Sequence, residues 1–336
     1  MTKNYYKKSL TLAIVLALVF LIVWLYLADF SKGRQVEFGV TFSSKYAAEL
    51  ELDWQTAFLS LLDDLGVRKF RLIAYWDKIE SQPGKYDFSD LDWQVAEAAK
   101  RGGEVLLVIG NRVPRWPECH WPTWIFGLSD EERQAGILKL LKETVKHFKS
   151  EEAIIAWQVE NEPYLNIFGE CPKLDEDFYE QEVELVKSLD ERPVAVTESC
   201  ELSSWLKGSR LADIVGTSLY RITWNKWFGY FYYPLPPAHY YLKSRLVKLA
   251  TGIDNIFISE MQMEPWVARK ILLTSLEEQS HSMNPEIFVK NINYAKRTGL
   301  SPVYFWGAEW WYWLKEQGDD SIWQAAKDIW NNYQNS

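Results

Sequence analysis

The pattern that most constrains the fold of this chain is a regular alternation of short apolar runs with stretches of helical spacing. Eight runs are apolar and rich in β-branched and aromatic residues; they cover residues 36–42, 67–75, 104–110, 153–159, 193–198, 213–220, 255–260 and 302–307. Helical stretches lie near residues 46–65, 89–101, 130–149, 175–189, 202–209, 237–249, 284–298 and 320–332. Near-continuous apolar strands that alternate with helices indicate a parallel sheet covered on both faces.

The number of these strand and helix units favours a closed barrel over an open sheet. Eight units in roughly 300 residues match a (β/α)8 TIM barrel, a fold that typically takes about 250 residues. No Gly-rich phosphate loop follows any of the runs, which weakens the doubly wound alternative. We therefore expect residues 31–336 to form one α/β catalytic domain. Its active site would lie where the loops after the strands open on one face.

The first thirty residues form a separate segment. Three lysines precede a charge-free apolar stretch at residues 10–27, which at about 1.5 Å per residue is long enough to span a bilayer. Basic residues on its N-terminal side favour keeping that end in the cytoplasm. We expect residues 1–30 to be a cytoplasmic stub and a transmembrane signal-anchor, with the rest of the chain outside the cytoplasmic membrane. Secretion after cleavage of a signal peptide is the alternative.

The three cysteines fit an oxidising compartment. Cys119 and Cys171 lie in loop-like segments, whereas Cys200 follows a predicted strand. An oxidising environment permits a bridge between Cys119 and Cys171. Three unpaired thiols remain the alternative.

Charge and aromatic content narrow the class of ligand. A net charge of -9 argues against a nucleic-acid surface, which needs clustered basic residues to neutralise phosphates. The chain has 18 tryptophans, and part of them fall in loops that contain proline and glycine. A flat amphipathic ring in such a loop suits stacking on a ligand, and sugars are flat-faced ligands of that kind. We expect a carbohydrate substrate.

Two glutamates follow predicted strands that lie roughly opposite each other in such a barrel. Glu162 follows the fourth run in the sequence WQVENEP, and Glu260 ends the seventh in NIFISE. The ends of these strands can face each other over a bound ligand. Cleavage of a glycosidic bond uses two opposed carboxyl groups, one that protonates the leaving oxygen and one that attacks or stabilises the anomeric carbon.

These motifs resemble those of the retaining glycoside hydrolases of clan A, which are (β/α)8 barrels. WQVENEP is similar to the Asn-Glu-Pro motif of family 5 cellulases and mannanases, and to the corresponding signature of family 42 and family 35 β-galactosidases. The resemblance implies that Glu162 is the acid/base, that Glu260 is the nucleophile and that Asn161 holds the sugar 2-hydroxyl. It covers nearly the whole chain after residue 35.

The same resemblance implies three further roles. Arg71, in the second run, would orient the nucleophile and supply a positive charge beside it. Tyr220 would donate a hydrogen bond to the nucleophile, and Trp306 would form the floor of the sugar subsite. A cation against Glu260 would keep that carboxylate ionised and leave Glu162 to hold the proton.

Other residues are candidates because they lie near these motifs. Trp266 and Trp310 are candidates for sugar stacking, and Glu309 for binding a sugar hydroxyl. Glu160 is either a carboxylate paired with a basic side chain or a binding residue. Glu264, four residues beyond Glu260, is the rival nucleophile.

Other hydrolase chemistries lack their motifs in this sequence. The four histidines form no H-x-H or H-E-x-x-H pair for a metal, and no G-x-S-x-G elbow is present for a serine nucleophile. We predict a retaining glycoside hydrolase that cleaves β-linked oligo- or polysaccharide by double displacement, with no metal and no cofactor. The alternatives are a transglycosylase on the same barrel and a non-catalytic carbohydrate-binding barrel.

Overall fold

Eight parallel strands close into a barrel in the computed structural model, which describes residues 2–334. The strands of that part of the chain are β1 (Phe38–Phe42), β2 (Lys69–Ile73), β3 (Glu104–Ile109), β4 (Ile154–Val159), β5 (Val194–Glu198), β6 (Ile214–Leu219), β7 (Ile222–Asn225), β8 (Gly229–Tyr232), β9 (Ile256–Gln262) and β10 (Val303–Trp306). The barrel runs β1 to β6, then β9 and β10, and closes on β1; β7 and β8 form a separate antiparallel hairpin. Each predicted run forms one barrel strand, so the fold class is confirmed.

The helices lie outside the barrel or at its ends. They are α1 (Thr2–Leu27), α2 (Ser44–Glu49), α3 (Trp54–Asp63), α4 (Trp76–Ile79), α5 (Ser89–Ala99), α6 (Asp130–Phe148), α7 (Glu176–Leu189), α8 (Pro237–Thr251), α9 (Leu276–Ser280), α10 (Pro285–Thr298), α11 (Ala308–Glu316) and α12 (Ser321–Gln334). Five of the eight predicted helical stretches correspond closely to α6, α7, α8, α10 and α12, and a sixth to α5.

Two predicted helices are wrong for local reasons. The stretch at residues 46–65 is split into α2 and α3, because Asp53 accepts a hydrogen bond from the Gln55 N–H and starts a new helix. The stretch at residues 202–209 is not an α-helix. There the hydroxyls of Ser203 and Ser204 accept from backbone N–H groups two residues on, which competes with helix formation.

The short helices α4 and α9 were missed, and so were two longer elements. The segment after the eighth strand was expected to be a loop, but it forms α11, which buries Trp310, Trp311 and Leu314 along one side. The hairpin of β7 and β8 lies in the loop after β6 and was not predicted. Both elements are rich in aromatic residues, and the sequence analysis predicted neither a helix nor a strand for them.

The interior of the barrel changes from apolar to polar along the strands. A small buried cluster fills one level of it, formed by Leu106, Ala156, Ala195, Phe257 and Tyr304. Side chains two residues further along a strand point to the same face, and at that level lie Gln158, Ser259 and Trp306. The polar level faces the C-terminal ends of the strands, where a TIM barrel carries its active site.

Helix α1 carries the apolar stretch at the N-terminus. Its segment Leu10–Leu27 has a mean hydropathy of 2.9 and none of it is buried. By length and composition it is able to cross a membrane. The division of the chain at residue 30 stays a prediction.

Candidate active site

Strand β4 ends in a strained turn that aims two glutamates in different directions. Glu160 and Glu162 have φ angles of 57° and 44°, a left-handed conformation that costs energy in residues other than glycine and often occurs at functional sites. The Glu162 N–H donates to the Thr197 hydroxyl at 2.9 Å. The turn is thus tied to strand β5, and the two carboxyl groups have different surroundings.

Glu160 lies against the loop that follows β3. Its carboxylate accepts hydrogen bonds from the backbone N–H groups of Asn111 and Arg112, at 2.7 and 2.5 Å. Burial raises the pKa of Glu160 to about 7. The sequence analysis gave two alternatives for Glu160: a carboxylate paired with a basic side chain, or a binding residue. In the structure, the Glu160 carboxylate accepts hydrogen bonds from two backbone amides of the loop.

Arg71 connects the two halves of the site. Its Nη1 donates to Glu260 at 2.9 Å, and its Nη2 donates to the Asn161 Oδ1 at 2.7 Å. Tyr220 donates its hydroxyl to the other Glu260 oxygen at 2.8 Å. Arg71 is fully buried, and its Nε is bound to Gln158. The structure therefore brings Arg71, Asn161, Tyr220 and Glu260 into one hydrogen-bonded group.

Glu162 differs from Glu260 in its hydrogen bonds, although both side chains are buried. Its side chain is buried, with 7% exposure, and its Oε1 has no hydrogen-bond partner within residues 2–334. Burial raises the pKa of Glu162 well above its usual range, and the negative charge of Glu260 raises it further. A hydrogen bond from Ser218 opposes this shift. Glu162 is accordingly a buried carboxyl group that favours its protonated form and lies within electrostatic reach of Glu260.

A third carboxyl group, Glu118, was missed by the sequence analysis. Its Oε2 accepts a hydrogen bond from the Asn161 Nδ2 at 3.1 Å, and the Arg112 Nε lies 3.9 Å from the same oxygen. Burial raises the pKa of Glu118 to about 8, with a contribution from the charge of Glu260. The only hint in the sequence is its place beside Cys119 in an aromatic loop.

A disulfide joins the two loops that border the site. Cys119, after β3, is bonded to Cys171, after β4, with a Cα to Cα distance of 5.3 Å. Cys200 is free and buried. The disulfide links the loop that carries Glu118 to the loop that follows Glu162.

Arg115 occupies the space beside Trp306. Its guanidinium lies 3.7 Å from the centre of the Tyr46 ring and 4.1 Å from that of the Trp306 ring. It donates to Glu264 and, at 3.0 Å, to Glu309. Glu264, the rival nucleophile, is therefore paired with a cation that the sequence analysis did not single out. Arg115 also covers part of the surface that Trp306 was expected to offer to a sugar.

Two predicted substrate-binding residues are engaged with other side chains. Glu309 is fully buried, and its oxygens accept from the Ser43 N–H and from Arg115. Trp310 is buried, and its Nε1 donates to Gln279 at 2.8 Å. Both lie in α11, which starts directly after β10 and turns them into packed positions. Their roles in binding a sugar hydroxyl or ring stay predictions.

Trp266 belongs to a line of aromatic rings that leads away from Glu260. Its ring centre lies 5.1 Å from that of Tyr220 and 6.1 Å from that of Phe168. Phe168 in turn contacts the exposed Trp116 at 5.8 Å. This aromatic line reaches from the solvent to Tyr220, the hydrogen-bond partner of Glu260.

Within the described part of the chain, no group of three or more His, Cys, Asp or Glu side chains has an arrangement that could hold a metal ion. The carboxyl groups of the site are instead engaged with arginines, amides and hydroxyls. The arrangement provides one carboxyl group fixed by Arg71 and Tyr220, a second buried carboxyl group that favours its proton, and aromatic rings beside them.

Comparison with known proteins gives structural matches only. No protein-family model matches the chain, and no curated protein matches its sequence. The structure is similar to a catalytic mutant of a family 42 β-galactosidase from G. stearothermophilus, with a TM-score of 0.62 and 10% identity over 92% of this chain and 58% of that one. It is also similar to a family 5 protein from Streptomyces cattleya in complex with GlcNAc, with a TM-score of 0.56 and 13% identity over 81% of this chain and 70% of that one.

A third similar structure is an exo-β-1,4-mannosidase from Opitutaceae bacterium strain TAV5, with a TM-score of 0.52 and 16% identity over 84% of this chain and 53% of that one. The chain spans about half the length of the β-galactosidases and the mannosidase that it matches. At these identities the likeness concerns the fold. The resemblance to clan A barrels of families 5 and 42 is confirmed at that level.

Proposed function

We propose that the protein is a retaining glycoside hydrolase that cleaves β-linked oligo- or polysaccharide, with Glu260 as nucleophile and Glu162 as acid/base. The observation that carries the proposal is the contrast between the two carboxyl groups. Both side chains are buried, but Glu260 is bound by Arg71 and Tyr220, whereas Glu162 has an unpartnered oxygen and a raised pKa. Carboxyl groups held in such different environments suit the two roles of this chemistry.

In the first step, the protonated Glu162 gives its proton to the glycosidic oxygen as the bond to the anomeric carbon breaks. The Glu260 carboxylate attacks that carbon and forms a covalent glycosyl ester. In the second step, the Glu162 carboxylate takes a proton from water, and the water oxygen attacks the anomeric carbon while the bond to Glu260 breaks. Two inversions at one carbon retain its configuration.

The neighbouring residues support this sequence of steps. Arg71 donates to both Glu260 and Asn161 and so holds the two side chains in a fixed relation. The Asn161 Nδ2 is a donor for the sugar 2-hydroxyl, shared with Glu118. Trp266 and Trp306 provide aromatic surface beside Tyr220 and Arg115. β-Linked sugars are suggested by the names of the structurally similar galactosidase and mannosidase.

The proposal includes a location. We infer that residues 1–30 anchor the protein in a membrane through α1, and that residues 31–336 form a catalytic domain on the extracytoplasmic side. The charge-free span and the preceding lysines support this orientation. The bridge between Cys119 and Cys171 is consistent with an oxidising compartment.

Azide rescue tests the roles of the two glutamates. A panel of aryl β-glycosides first identifies a substrate of the wild-type protein. We expect Glu260→Ala to abolish turnover, and azide to restore it with formation of an α-glycosyl azide, because the small anion attacks from the side that Glu260 vacates. We expect Glu162→Gln to slow substrates with poor leaving groups by about 100-fold to 10,000-fold, with a smaller effect when the leaving group needs no proton.

Glu264→Ala is the matched control, because Glu264 is the other carboxylate near the end of β9. We expect no azide product from this variant. Full activity of Glu260→Ala, or azide rescue of Glu264→Ala alone, would refute the assignment of the nucleophile.

A further inference from the structure

The end of helix α1 is docked on the outer wall of the barrel. The Tyr26 hydroxyl donates to the Pro234 carbonyl at 2.5 Å, and Arg297 donates to the Tyr26 carbonyl. Phe30 stacks on Tyr241 with 4.0 Å between ring centres. The chain therefore passes from the apolar span to contact with α8 and α10 within three residues, a distance of at most about 10 Å.

Helix α8 presents a row of exposed leucines directly beside this junction. Leu242, Leu246 and Leu249 are 46%, 61% and 84% exposed. They are four and three residues apart, so they lie on one side of the helix; we call them the leucine face. Leu242 is adjacent in sequence to Tyr241, the residue on which Phe30 stacks. An aligned apolar face that is open to solvent usually marks a contact surface.

Basic side chains surround the leucine face. Arg245 and Lys248 lie on α8 between the leucines and pair with Asp254 at 3.5 and 2.5 Å. Arg34, in the docked segment, also acts on the charge of Asp254. Three cations thus share one acidic partner here. Apolar residues interleaved with excess positive charge are typical of helices that lie in the interface of a bilayer with anionic headgroups.

We propose that the leucine face of α8 lies against the surface of the same bilayer that α1 spans, in contact with lipid at the boundary of headgroups and acyl chains. The inference rests on the membrane anchor included in the proposed function. Interfacial helices bury their apolar face about 5–10 Å into this boundary, which matches the short distance between the end of α1 and Tyr241.

The contact also orients the barrel. Helix α8 runs along the outer wall, so a membrane against its outer face places the barrel axis roughly along the membrane plane. The C-terminal mouth, with Glu162 and Glu260, then opens along the membrane surface. Substrate approaches it from the side.

Spin labels on the full chain test the surface. Leu246→Cys and Leu249→Cys are labelled and reconstituted in vesicles of phosphatidylethanolamine and phosphatidylglycerol. Leu273→Cys is the matched control, because Leu273 is 71% exposed and lies on a different segment of the surface. The native cysteines do not compete, since two form the disulfide and Cys200 is buried. We expect the α8 labels to collide more with lipid-soluble oxygen than with a water-soluble nickel complex, and the control label to do the reverse.

A label at Val19→Cys separates this inference from the anchor itself. If the label at position 19 is accessible to oxygen while the labels at positions 246 and 249 are exposed to water, the leucine-face proposal is overturned and the anchor stands. Water exposure at all three positions overturns both. Dipolar broadening between α8 labels that disappears when labelled protein is diluted with unlabelled protein in the vesicles indicates a second copy of the chain, which also overturns the lipid contact.

Discussion

At the scale of single residues, the chemistry of the site follows from how each carboxyl group is surrounded. Glu260 has a cation and a hydroxyl on its two oxygens. Glu162 has an unpartnered oxygen in a buried position and three acidic neighbours, Glu260, Glu118 and Glu201, that act on its charge. Burial and like charges both favour the neutral form of an acid. Glu118 is thereby a positioning residue. It accepts a hydrogen bond from the Asn161 amide, and its negative charge raises the pKa of Glu162.

The Glu118→Gln substitution tests this influence. Glutamine keeps an acceptor for Asn161 but removes the negative charge that Glu118 carries above about pH 8, and that charge raises the pKa of Glu162. Because the proposed first step needs the acid form of Glu162, we expect the alkaline limb of the kcat/KM profile to move to lower pH. The measurement is kcat/KM against pH with an aryl glycoside.

The exposed Glu191 provides a matched change of net charge. Its substitution by glutamine should leave the alkaline limb in place. An unchanged limb in Glu118→Gln would mean that Glu118 has no effect on Glu162.

At the scale of elements, the two loops joined by the disulfide determine the access to the barrel. The loop after β3 carries Arg115 and Glu118, and the loop after β4 carries Phe168. Cys119 and Cys171 are 52 residues apart in sequence. A cross-link over such a long loop restricts the unfolded chain and usually stabilises the folded one. The same cross-link holds Glu118 beside Asn161.

The double variant Cys119→Ser with Cys171→Ser tests both effects. We expect its free energy of unfolding to fall by about 2–4 kcal/mol, and kcat/KM to fall as well because Glu118 and Arg115 lose a fixed backbone. Denaturant unfolding and aryl glycoside kinetics measure these quantities. Reductant should lower both in the wild type and neither in the double variant. A wild-type protein that is indifferent to reductant in both measurements would contradict the prediction.

At the scale of the whole molecule, several buried carboxyl groups have higher pKa values in the folded chain than in the unfolded chain. Burial raises the pKa of Glu118 to about 8, and those of Glu160, Glu201 and Glu309 to about 7. Their usual pKa is 4.5. Between these values the folded chain binds more protons than the unfolded chain, so its stability falls as the pH rises.

Histidine contributes with the opposite sign at lower pH. Burial lowers the pKa of His120 to about 4 and that of His239 below its usual value. Below about pH 6.5 the unfolded chain binds more protons at these histidines than the folded chain does. The folded state therefore becomes more stable as the pH rises, and this gain is complete above about pH 6.5. Above about pH 6.5 the two histidines no longer change the stability, and the four carboxyl groups determine how it varies with pH.

We therefore expect the Tm to fall between about pH 6.5 and about pH 8. Calorimetry or circular dichroism at constant ionic strength measures the slope. Glu118→Gln should give a shallower decrease, because it removes the group that titrates last among the four. A Tm that rises over this interval would show that the four carboxyl groups are already ionised in the folded protein.

The sequence by itself determined the barrel, because burial on both faces of a parallel sheet requires apolar runs, and that pattern is local. It also determined the two glutamates, Asn161 and Arg71 as candidates, since each stands in or directly after a predicted strand. Only the tertiary structure decided that Glu118 and Arg115 belong to the site, that Glu309 pairs with Arg115 and that Trp310 is buried in α11. These outcomes depend on where loops return to the barrel and on how α11 packs, and such contacts join residues far apart in the chain that leave no periodic pattern in the sequence.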